Sequence, residues 1–222
     1  MTLYKNKRLS KTGKEGRKKT SNVFEKKEWI ELKTPTLFGE KIFGKTLVNK
    51  RTNTNKSSEL LTNRIYQISL GDLNNKESLS YRKIKLKGSE VKNNTCETSF
   101  FGMDLTRDKL SSLVKKWQTT IETSIDIKTE DGFFLRIFCL VFSRKKKKQL
   151  KKTSYLTSSQ TRAIRRKIIS ILLKFSLENN LKSLIGKFLS EKLNSEIERE
   201  CKKIFPIYNF FIRKIKVLRE NN

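Results

Sequence analysis

The spacing of hydrophobic residues in the first two thirds of the chain is that of short β-strands. Between residues 23 and 143, short apolar runs are separated by polar turns. The first run holds Trp29, Ile30 and Leu32, and Pro35 ends it. The next runs are "KTLV" at 45–48, "IYQISL" at 65–70 and "SYRKIKLK" at 80–87. Regularly spaced short strands of this kind predict an antiparallel sheet or barrel.

The longest apolar segment predicts a β-hairpin. Asp131 and Gly132 are a strong tight-turn signal between "IETSIDIK" at 121–128 and "FFLRIFCLVF" at 133–142. One face of the second strand is lined by apolar side chains: Phe133, Leu135, Ile137, Cys139 and Val141. The opposite face is also largely apolar, so we expect this strand to be central in the sheet and covered on both sides.

Helical spacing first occurs in "DLTRDKLSSLVKKWQTTI", residues 104–121. Thr106 is a suitable N-cap, and Asp108 lies in the first turn, where an acidic residue is favourable. The apolar residues of the segment share one helical face: Leu110, Leu113, Val114, Trp117 and Ile121. This spacing predicts that Trp117 packs in the core, and a stacking surface for a nucleobase is the alternative.

A second helix is predicted in "SSQTRAIRRKIISILLKF", residues 158–175, with Ser158 or Ser159 as its cap. Its inner stripe consists of five apolar residues: Ile164, Ile168, Ile171, Leu172 and Phe175. The first half of the helix carries arginines near its positive N-terminal end, where they do not stabilise it. We therefore expect these arginines to serve binding.

Two further helices and a strand complete the pattern. One helix spans residues 181–189, and a capping-box pattern at 195–198 marks the start of the other. After Pro206, "NFFIRKIKVL" at 209–218 alternates between apolar and basic residues. The side chains expected on its inner face are Phe211, Ile215 and Val217. This strand is predicted to rejoin the sheet.

These elements predict an α+β fold, a largely antiparallel β-sheet or barrel packed with about four helices. We expect a single domain over residues 23–219. It is β-rich at 23–143, carries a basic strip and helices at 144–205, and ends in a returning strand at 207–218. A disordered basic N-terminal arm, residues 1–22, is expected to precede the domain.

Net charge distinguishes this sequence from an ordinary globular domain. It has 51 basic residues against 22 acidic ones, a formal net charge of +29 and a pI near 10.2. Self-repulsion at this charge opposes compaction, so an anionic partner is expected: nucleic acid, an anionic membrane or an acidic protein. No segment has the length and apolar character of a signal peptide or a membrane-spanning helix, which predicts an intracellular protein.

The residue types that enzymes and metal sites need are scarce. The absence of histidine removes His-based acid–base and nucleophile pairs and the commonest metal ligand. The cysteines lack CxxC spacing, which favours a reducing compartment; Cys139 and Cys201 fit core positions, and Cys96 is left open. The acids that a magnesium-dependent enzyme could use occupy cap, turn and strand-surface positions: Asp104, Asp108, Asp126, Glu130 and Asp131. No catalytic residue, metal site or cofactor is therefore predicted.

Two basic clusters are the candidate RNA-binding sites. The first, with eleven basic residues and no acidic one over 144–167, comprises Arg144, Lys145, Lys146, Lys147, Lys148, Lys151, Lys152, Arg162, Arg165, Arg166 and Lys167. The second, in the N-terminal arm, comprises Lys5, Lys7, Arg8, Lys11, Lys14, Arg17, Lys18 and Lys19. Clusters of this kind bind phosphates; a solvated loop, a nuclear-import signal and a solubility tail are the alternatives. Tyr155 and Tyr81, beside basic residues, are candidates for base stacking.

Six stretches of the sequence, in order and with matching spacing, resemble one protein family. They are "KKEWIELKTPTLF" (26–38), "GKTLV" (44–48), "FFGMDLTRDKLSSLVKKWQT" (100–119), "DIKTEDGFFLRIFCLVFS" (126–143), "QLKKTSY" (149–155) and "RAIRRKI" (162–168). From about residue 23 to 219, the chain resembles the S-one-e family, called S-three-a in older naming, of small-subunit ribosomal proteins in archaea and eukaryotes. The family fold, a barrel-like sheet with packed helices, agrees with the pattern above.

The resemblance implies a non-enzymatic structural constituent of the small ribosomal subunit that binds rRNA backbone and supports subunit assembly and translation. The implied partners are small-subunit rRNA and neighbouring ribosomal proteins of the platform, a surface near the mRNA exit region that initiation factors approach. Structural magnesium would belong to the rRNA. The implied location is the cytoplasmic ribosome, with nucleolar passage during assembly in a eukaryote. The rival functions are a peripheral membrane protein, a magnesium-dependent nucleic-acid enzyme and an RNA-binding protein outside the ribosome.

Overall fold

Alternating apolar and polar residues produce eight β-strands in the part of the chain that the computed structural model describes, residues 22–50, 57–190 and 192–219. The strands are β1 (Lys27–Lys33), β2 (Ile42–Asn49), β3 (Ile65–Ser69), β4 (Arg82–Lys92), β5 (Thr95–Leu105), β6 (Thr120–Lys128), β7 (Phe134–Ser143) and β8 (Ile207–Arg219). The helices in the same ranges are α1 (Ser57–Leu61), α2 (Leu70–Asn74), α3 (Arg107–Leu113), α4 (Ser158–Leu177), α5 (Leu181–Leu189) and α6 (Lys192–Lys202). The four predicted helices correspond to α3 through α6.

All eight strands belong to one sheet, and their pairings meet at β5. Along one edge β5 pairs antiparallel with β4, which also pairs with β3. On its other edge, residues Thr95–Glu97 pair in parallel with β1, and Gly102–Asp104 pair antiparallel with β8. The strand order β2-β1-β5-β8-β7-β6 completes the sheet. The predicted α+β class is thus confirmed, with a mixed and mostly antiparallel sheet.

The predicted hairpin lies at the centre of the larger hydrophobic core. Strands β6 and β7 pair along their whole length, and β7 lies between β6 and β8, as predicted for a central strand. Its inner face buries four side chains: Leu135, Ile137, Cys139 and Val141. Helix α4 packs on β6 and α6 packs on β8. Their contribution to the core includes Ile164, Ile168, Leu172 and Ile197.

The helix predicted over residues 104–121 is much shorter than its apolar spacing suggests. Thr106 caps it as predicted, because its side chain accepts a hydrogen bond from the Lys109 N–H. The helix ends at Leu113, and Trp117 has a left-handed backbone conformation with a φ of 71°. The prediction that Trp117 packs in the core is wrong, since its side chain is 45% exposed. The next apolar residue, Ile121, is buried as part of β6 and pairs with Val141.

Two predicted helix starts are also corrected. Thr157 caps α4 in place of Ser158 or Ser159, and it forms a capping box with Gln160. Helix α6 already begins at Lys192, so the pattern at 195–198 lies inside the helix and is not its cap. By contrast, α5 has the predicted bounds.

The returning strand β8 forms as predicted, but its inner face changes phase at a bulge. Phe210 and Ile212 are buried before the bulge, and Ile215 and Val217 are buried after it. Phe138 and Cys139 are adjacent on β7, but their partners on β8 are separated by one extra residue. This extra residue shifts the alternation of buried and exposed side chains along β8 by one position. Phe211, which was expected to face inward, is therefore only half-buried.

Candidate nucleic-acid interface

The segment that joins β7 to α4 begins with a loop whose ends are fastened to the sheet. We call residues 144–153 the lysine loop. At its start, the Arg144 N–H donates to the carbonyl of Pro206 at 2.9 Å. Next to this contact, the hydroxyl of Ser143 accepts a 2.8 Å bond from the Thr119 N–H and lies 3.3 Å from the hydroxyl of Ser154. Both ends of the loop are therefore held by buried hydrogen bonds.

The middle of the lysine loop is organised by the side chain of Gln149. Its Oε1 accepts a 3.1 Å hydrogen bond from the Lys146 N–H, and its Nε2 donates to the carbonyls of Lys151 and Thr153. Lys148 completes the turn with a φ of 62°. The seven basic side chains of the loop are all exposed: Arg144, Lys145, Lys146, Lys147, Lys148, Lys151 and Lys152. The run of lysines thus has a defined backbone path.

Trp117 lies beside the end of the lysine loop and is fixed by Ser154. The carbonyl of Trp117 accepts hydrogen bonds from the Ser154 N–H at 2.9 Å and from the Ser154 hydroxyl at 3.2 Å. The ammonium of Lys152 lies 5.0 Å from the centroid of the indole ring, a cation–π contact. The segment that follows α3 is thereby joined to the end of the lysine loop.

Two depressions flank the lysine loop. The tryptophan groove, of about 370 Å³, is lined by Lys115, Lys116, Trp117, Gln118, Ser143, Arg144, Lys145, Lys152, Ser154 and Tyr208. The helix groove, of about 800 Å³, is lined by Arg144, Lys145, Lys146, Lys147, Lys202, Pro206 and Ile207. Arg144 and Lys145 line both grooves. The loop therefore forms a basic ridge between two concave surfaces.

The predicted basic residues of α4 divide into two kinds. Arg162 and Arg166 are exposed and have no hydrogen bond or ion pair with any other part of the described chain. In contrast, Arg165 donates from its Nε to the carbonyl of Glu122 at 3.1 Å, and Lys167 forms a 3.3 Å ion pair with Glu200. The first two arginines are fully available to an anion, whereas the other two also support the packing of α4.

Helix α6 connects the lysine loop with α4. Lys202, in the helix groove, pairs with Glu198 at 3.1 Å. Two residues before Lys202, Glu200 contacts Lys203 at 2.7 Å in addition to Lys167. Hydrogen bonds from Lys203 and Lys167 lower the pKa of the Glu200 carboxyl, so it stays charged among these cations. Helix α6 thus has basic side chains near both the loop and α4, and two of its glutamates neutralise part of this charge.

Sequence reasoning missed several members of this surface. Lys115 and Lys116 lie within the segment predicted as a longer helix, and Lys202 and Tyr208 are distant from the loop in sequence. The adjacent letters "KKW" at 115–117 were the available signal, because a tryptophan next to two lysines is typical of RNA-binding surfaces.

The two tyrosines proposed for base stacking have different environments. Tyr155 is 59% exposed and follows Ser154 directly, so its ring is accessible to a partner. Tyr81 is half-buried, and its ring is contacted by the ammonium of Lys109 at 4.6 Å and the guanidinium of Arg82 at 5.2 Å. Intramolecular cations therefore already occupy the ring of Tyr81.

The basic residues predicted in the N-terminal arm, from Lys5 to Lys19, lie outside the residues that the structure describes.

Three of the five acidic residues considered for metal binding have structural partners. Asp126 receives two hydrogen bonds of 2.6 Å from Arg136, which lower the pKa of its carboxyl. Asp131 accepts a 2.9 Å bond from the Leu181 N–H and so caps α5. Asp104 pairs with Lys214 at 3.0 Å. Over the described ranges, no three Cys, Asp or Glu side chains converge on a point where they could hold a metal ion.

The cysteines occupy core positions in the fold. Cys96, Cys139 and Cys201 are all buried free thiols, and burial raises the pKa of each. The core position of Cys96, which the sequence left open, is in the cluster around Ile30 and Val48. None of the three has the low pKa of a reactive cysteine.

Among the described helices, none has the length and hydropathy to cross a membrane.

Comparison with known protein families matches residues 15–221 of the 222-residue chain to the Ribosomal S3Ae family. The match includes the central hairpin, the lysine loop and the three C-terminal helices. Proteins of this family are structural constituents of the small ribosomal subunit and are not enzymes. Because the match extends over nearly the whole sequence, this chain belongs to the Ribosomal S3Ae family and has a structural role in the small subunit.

Proposed function

We propose that the lysine loop holds this protein on the phosphate backbone of small-subunit rRNA. The observation that carries the proposal is the attachment of the loop, because seven exposed basic side chains lie on a segment whose two ends are hydrogen-bonded to residues that directly precede β6 and β8. Because the backbone that carries these cationic side chains has a defined position, the side chains can match a fixed path of phosphates. Such contacts set the position of the protein on the RNA, whereas base contacts and RNA shape supply specificity.

The proposed contact surface extends beyond the loop. Arg162 and Arg166 of α4 offer exposed guanidinium groups, which suit the bidentate geometry of phosphates. Arg165 and Lys167 add charge while also holding α4 to its neighbours. The exposed ring of Tyr155 is proposed to stack on an unpaired base. Residues 1–22, with eight basic residues against one acidic residue, are proposed to add further phosphate contacts.

We also propose that the protein lies at the platform of the small subunit, as the family resemblance implies. Its protein neighbours there would be other platform proteins, and the mRNA exit region and initiation factors would come close to it. In a eukaryotic cell, its assembly into the subunit would include passage through the nucleolus. Family membership supports a place in the small subunit, and the basic surface supports contact with the rRNA.

The proposal is tested by replacing Lys145, Lys146, Lys147 and Lys148 with glutamine. Affinity for a small-subunit rRNA fragment is measured at several salt concentrations, and the slope of log K against log salt counts the phosphates neutralised. We expect the slope to become shallower by about 1 for each lysine contact that is lost.

A matched control changes the same number of exposed lysines away from the grooves: Lys50, Lys76, Lys83 and Lys182. Both variants lose the same net charge, so a general electrostatic effect would alter them equally. The proposal predicts a larger change of slope for the loop variant. Equal slopes for the loop variant and the unmodified protein would show that the loop does not contact the RNA.

A further inference from the structure

We propose that the tryptophan groove binds an unpaired nucleotide of RNA, with its base stacked on the indole of Trp117 and its phosphates held by the surrounding lysines. This inference rests on the proposed function and adds a second kind of contact to it. The lysine loop contributes charge along its length, whereas the groove combines charge with an accessible aromatic ring. The recognised feature would be a splayed-out base in a single-stranded segment.

The conformation of Trp117 is costly for the protein. A bulky residue with a φ of 71° is uncommon, because the left-handed backbone conformation is sterically unfavourable for it. A large apolar ring that is 45% exposed also gains less from burial than a core residue. The two hydrogen bonds from Ser154 hold the residue in this unfavourable position. Strain that the surrounding structure maintains is frequently found at functional sites.

The groove has the composition of a nucleotide-binding surface. Among the described residues that line it, there is no carboxylate and there are five cationic side chains: Lys115, Lys116, Arg144, Lys145 and Lys152. Two exposed aromatic rings, those of Trp117 and Tyr208, belong to the same lining. Its volume of about 370 Å³ is within the usual range of about 300–1,000 Å³ for small-ligand pockets. Each part of a nucleotide thus has a suitable partner.

The geometry favours a single-stranded ligand over a duplex. The bases of an A-form helix are stacked on each other and cannot place a face on an indole ring. Unpaired bases can do so, and every base has a π-face, so such stacking tolerates different sequences. The ammonium of Lys152, which lies 5.0 Å from the indole centroid, would leave the ring for a phosphate when a base arrives. The indole is therefore covered by a flexible side chain that can move.

The test uses the fluorescence of Trp117 in the full-length protein. The chain has two tryptophans, and the exposed Trp29 is changed to phenylalanine so that Trp117 is the only reporter. The protein is titrated with a short single-stranded RNA, an abasic strand of the same length and charge, and an RNA duplex. We expect strong quenching by the single strand and little by the abasic strand or the duplex.

Affinity measurements on variants of Trp117 complete the test. Loss of one stacked base weakens binding by about 5- to 150-fold, so Trp117→Ala should bind the single strand that much less tightly. Trp117→Phe should retain part of the affinity, and neither change should alter the salt slope. The proposed function is tested separately by the salt slope of the lysine variant, because this slope reports phosphate contacts. An abasic strand still carries phosphates, so a failure of base stacking would leave the phosphate contacts measurable.

Two results would overturn the inference. One is equal quenching by the abasic and the base-containing strand, which would show that the groove holds phosphates alone. The other is equal quenching by a polyglutamate peptide, which would assign the groove to an acidic protein segment. If Trp117→Ala fails to fold, the titrations of Trp29→Phe and the affinity of Trp117→Phe still decide between these results.

Discussion

Among single residues, the two glutamates of α6 that face the basic surface do more than pair with nearby lysines. Glu198 accepts a hydrogen bond from the Phe210 N–H at 2.8 Å and so connects α6 with β8. Glu200 connects α6 with α4 through Lys167. In a protein with a net charge of +29, these carboxylates relieve repulsion where several cations converge. They lower the local positive charge and increase the stability of the helical layer.

Replacing Glu200 with glutamine should make the folded protein less stable at neutral pH. The hydrogen bonds from Lys203 and Lys167 lower the pKa of Glu200 below its ordinary value of 4.5. When the pH is above the ordinary pKa, a carboxyl whose pKa is lowered by folding stabilises the folded state. This stabilisation is lost as the pH falls through the lowered pKa. The difference in unfolding free energy between the unmodified protein and Glu200→Gln should therefore be present at pH 7 and disappear in acid.

Urea unfolding at a series of pH values measures this difference. Glu196→Gln is a suitable control, because this glutamate lies on the same helix and has no ion pair within the described ranges. Its effect on stability should be small at every pH. A Glu200→Gln effect that stays constant between neutral and acid pH would mean that the ion pairs do not stabilise the fold.

The sequence predicted some members of the basic surface and could not predict others. The exposure of Lys145 to Lys148 followed from their density, because no fold can bury so many like charges together. Trp117 was wrongly predicted to pack in the core because its spacing from Leu110 and Leu113 fits a helix. The following residues instead form β6, which pairs with β7, so the helix cannot continue to residue 121. The contribution of Lys202 depends on tertiary packing that brings α6 beside the loop, and no local pattern contains that information.

At the scale of elements, the sheet depends on the close approach of β5 and β8. These two strands pair over only Gly102–Asp104, and this short pairing joins the two halves of the sheet. A Cβ atom on Gly102 would lie 2.7 Å from the backbone carbonyl oxygen of Ile215. Glycine is therefore required here because the neighbouring backbone leaves no room for a side chain.

Gly102→Ala should destabilise the fold by about 1–3 kcal/mol, because either β8 must move away or the backbone must distort. Urea or thermal unfolding of the full chain measures the loss. Gly44→Ala is the matched control, since Gly44 also lies in a strand but has no atom within 4 Å of an added Cβ. Unchanged stability of Gly102→Ala would show that the two strands are not in such close contact.

Element prediction succeeded where the apolar pattern was strong and failed where small or polar residues replaced it. The β6–β7 hairpin and α5 were predicted well because β7 and α5 each carry an uninterrupted apolar face and a strong turn signal joins β6 to β7. Strand β5 was missed because two of its buried positions are not occupied by large apolar residues. Thr98 is polar, and Gly102 has no side chain. Its two register shifts against β4 also disturb a simple alternation.

For the molecule as a whole, folding and RNA binding are expected to depend on different parts of the chain. In the described ranges, both hydrophobic clusters are built from residues between Ile30 and Val217. The eight basic residues of the N-terminal segment contribute charge outside that interval. A change in this segment should therefore affect binding to the ribosome more than the stability of the domain.

Deleting residues 1–22 should leave the melting temperature nearly unaltered but weaken incorporation into small subunits. Incorporation is measured by sedimentation of tagged protein through a sucrose gradient at raised salt. A second variant keeps these residues but changes their eight basic side chains to glutamine; if charge is responsible, it should behave like the deletion. A large fall in melting temperature after deletion would mean that this segment is part of the folded core.

The side chain of Gln149 has a consequence for how fast the protein can capture its RNA. By bonding to three backbone groups of its own loop, it has already removed part of the backbone entropy that a free lysine tail would lose on binding. Encounter complexes then need no slow ordering step before they become stable. If the lysine loop binds rRNA as proposed, a strand of rRNA would be retained at its first productive collision with the loop during subunit assembly.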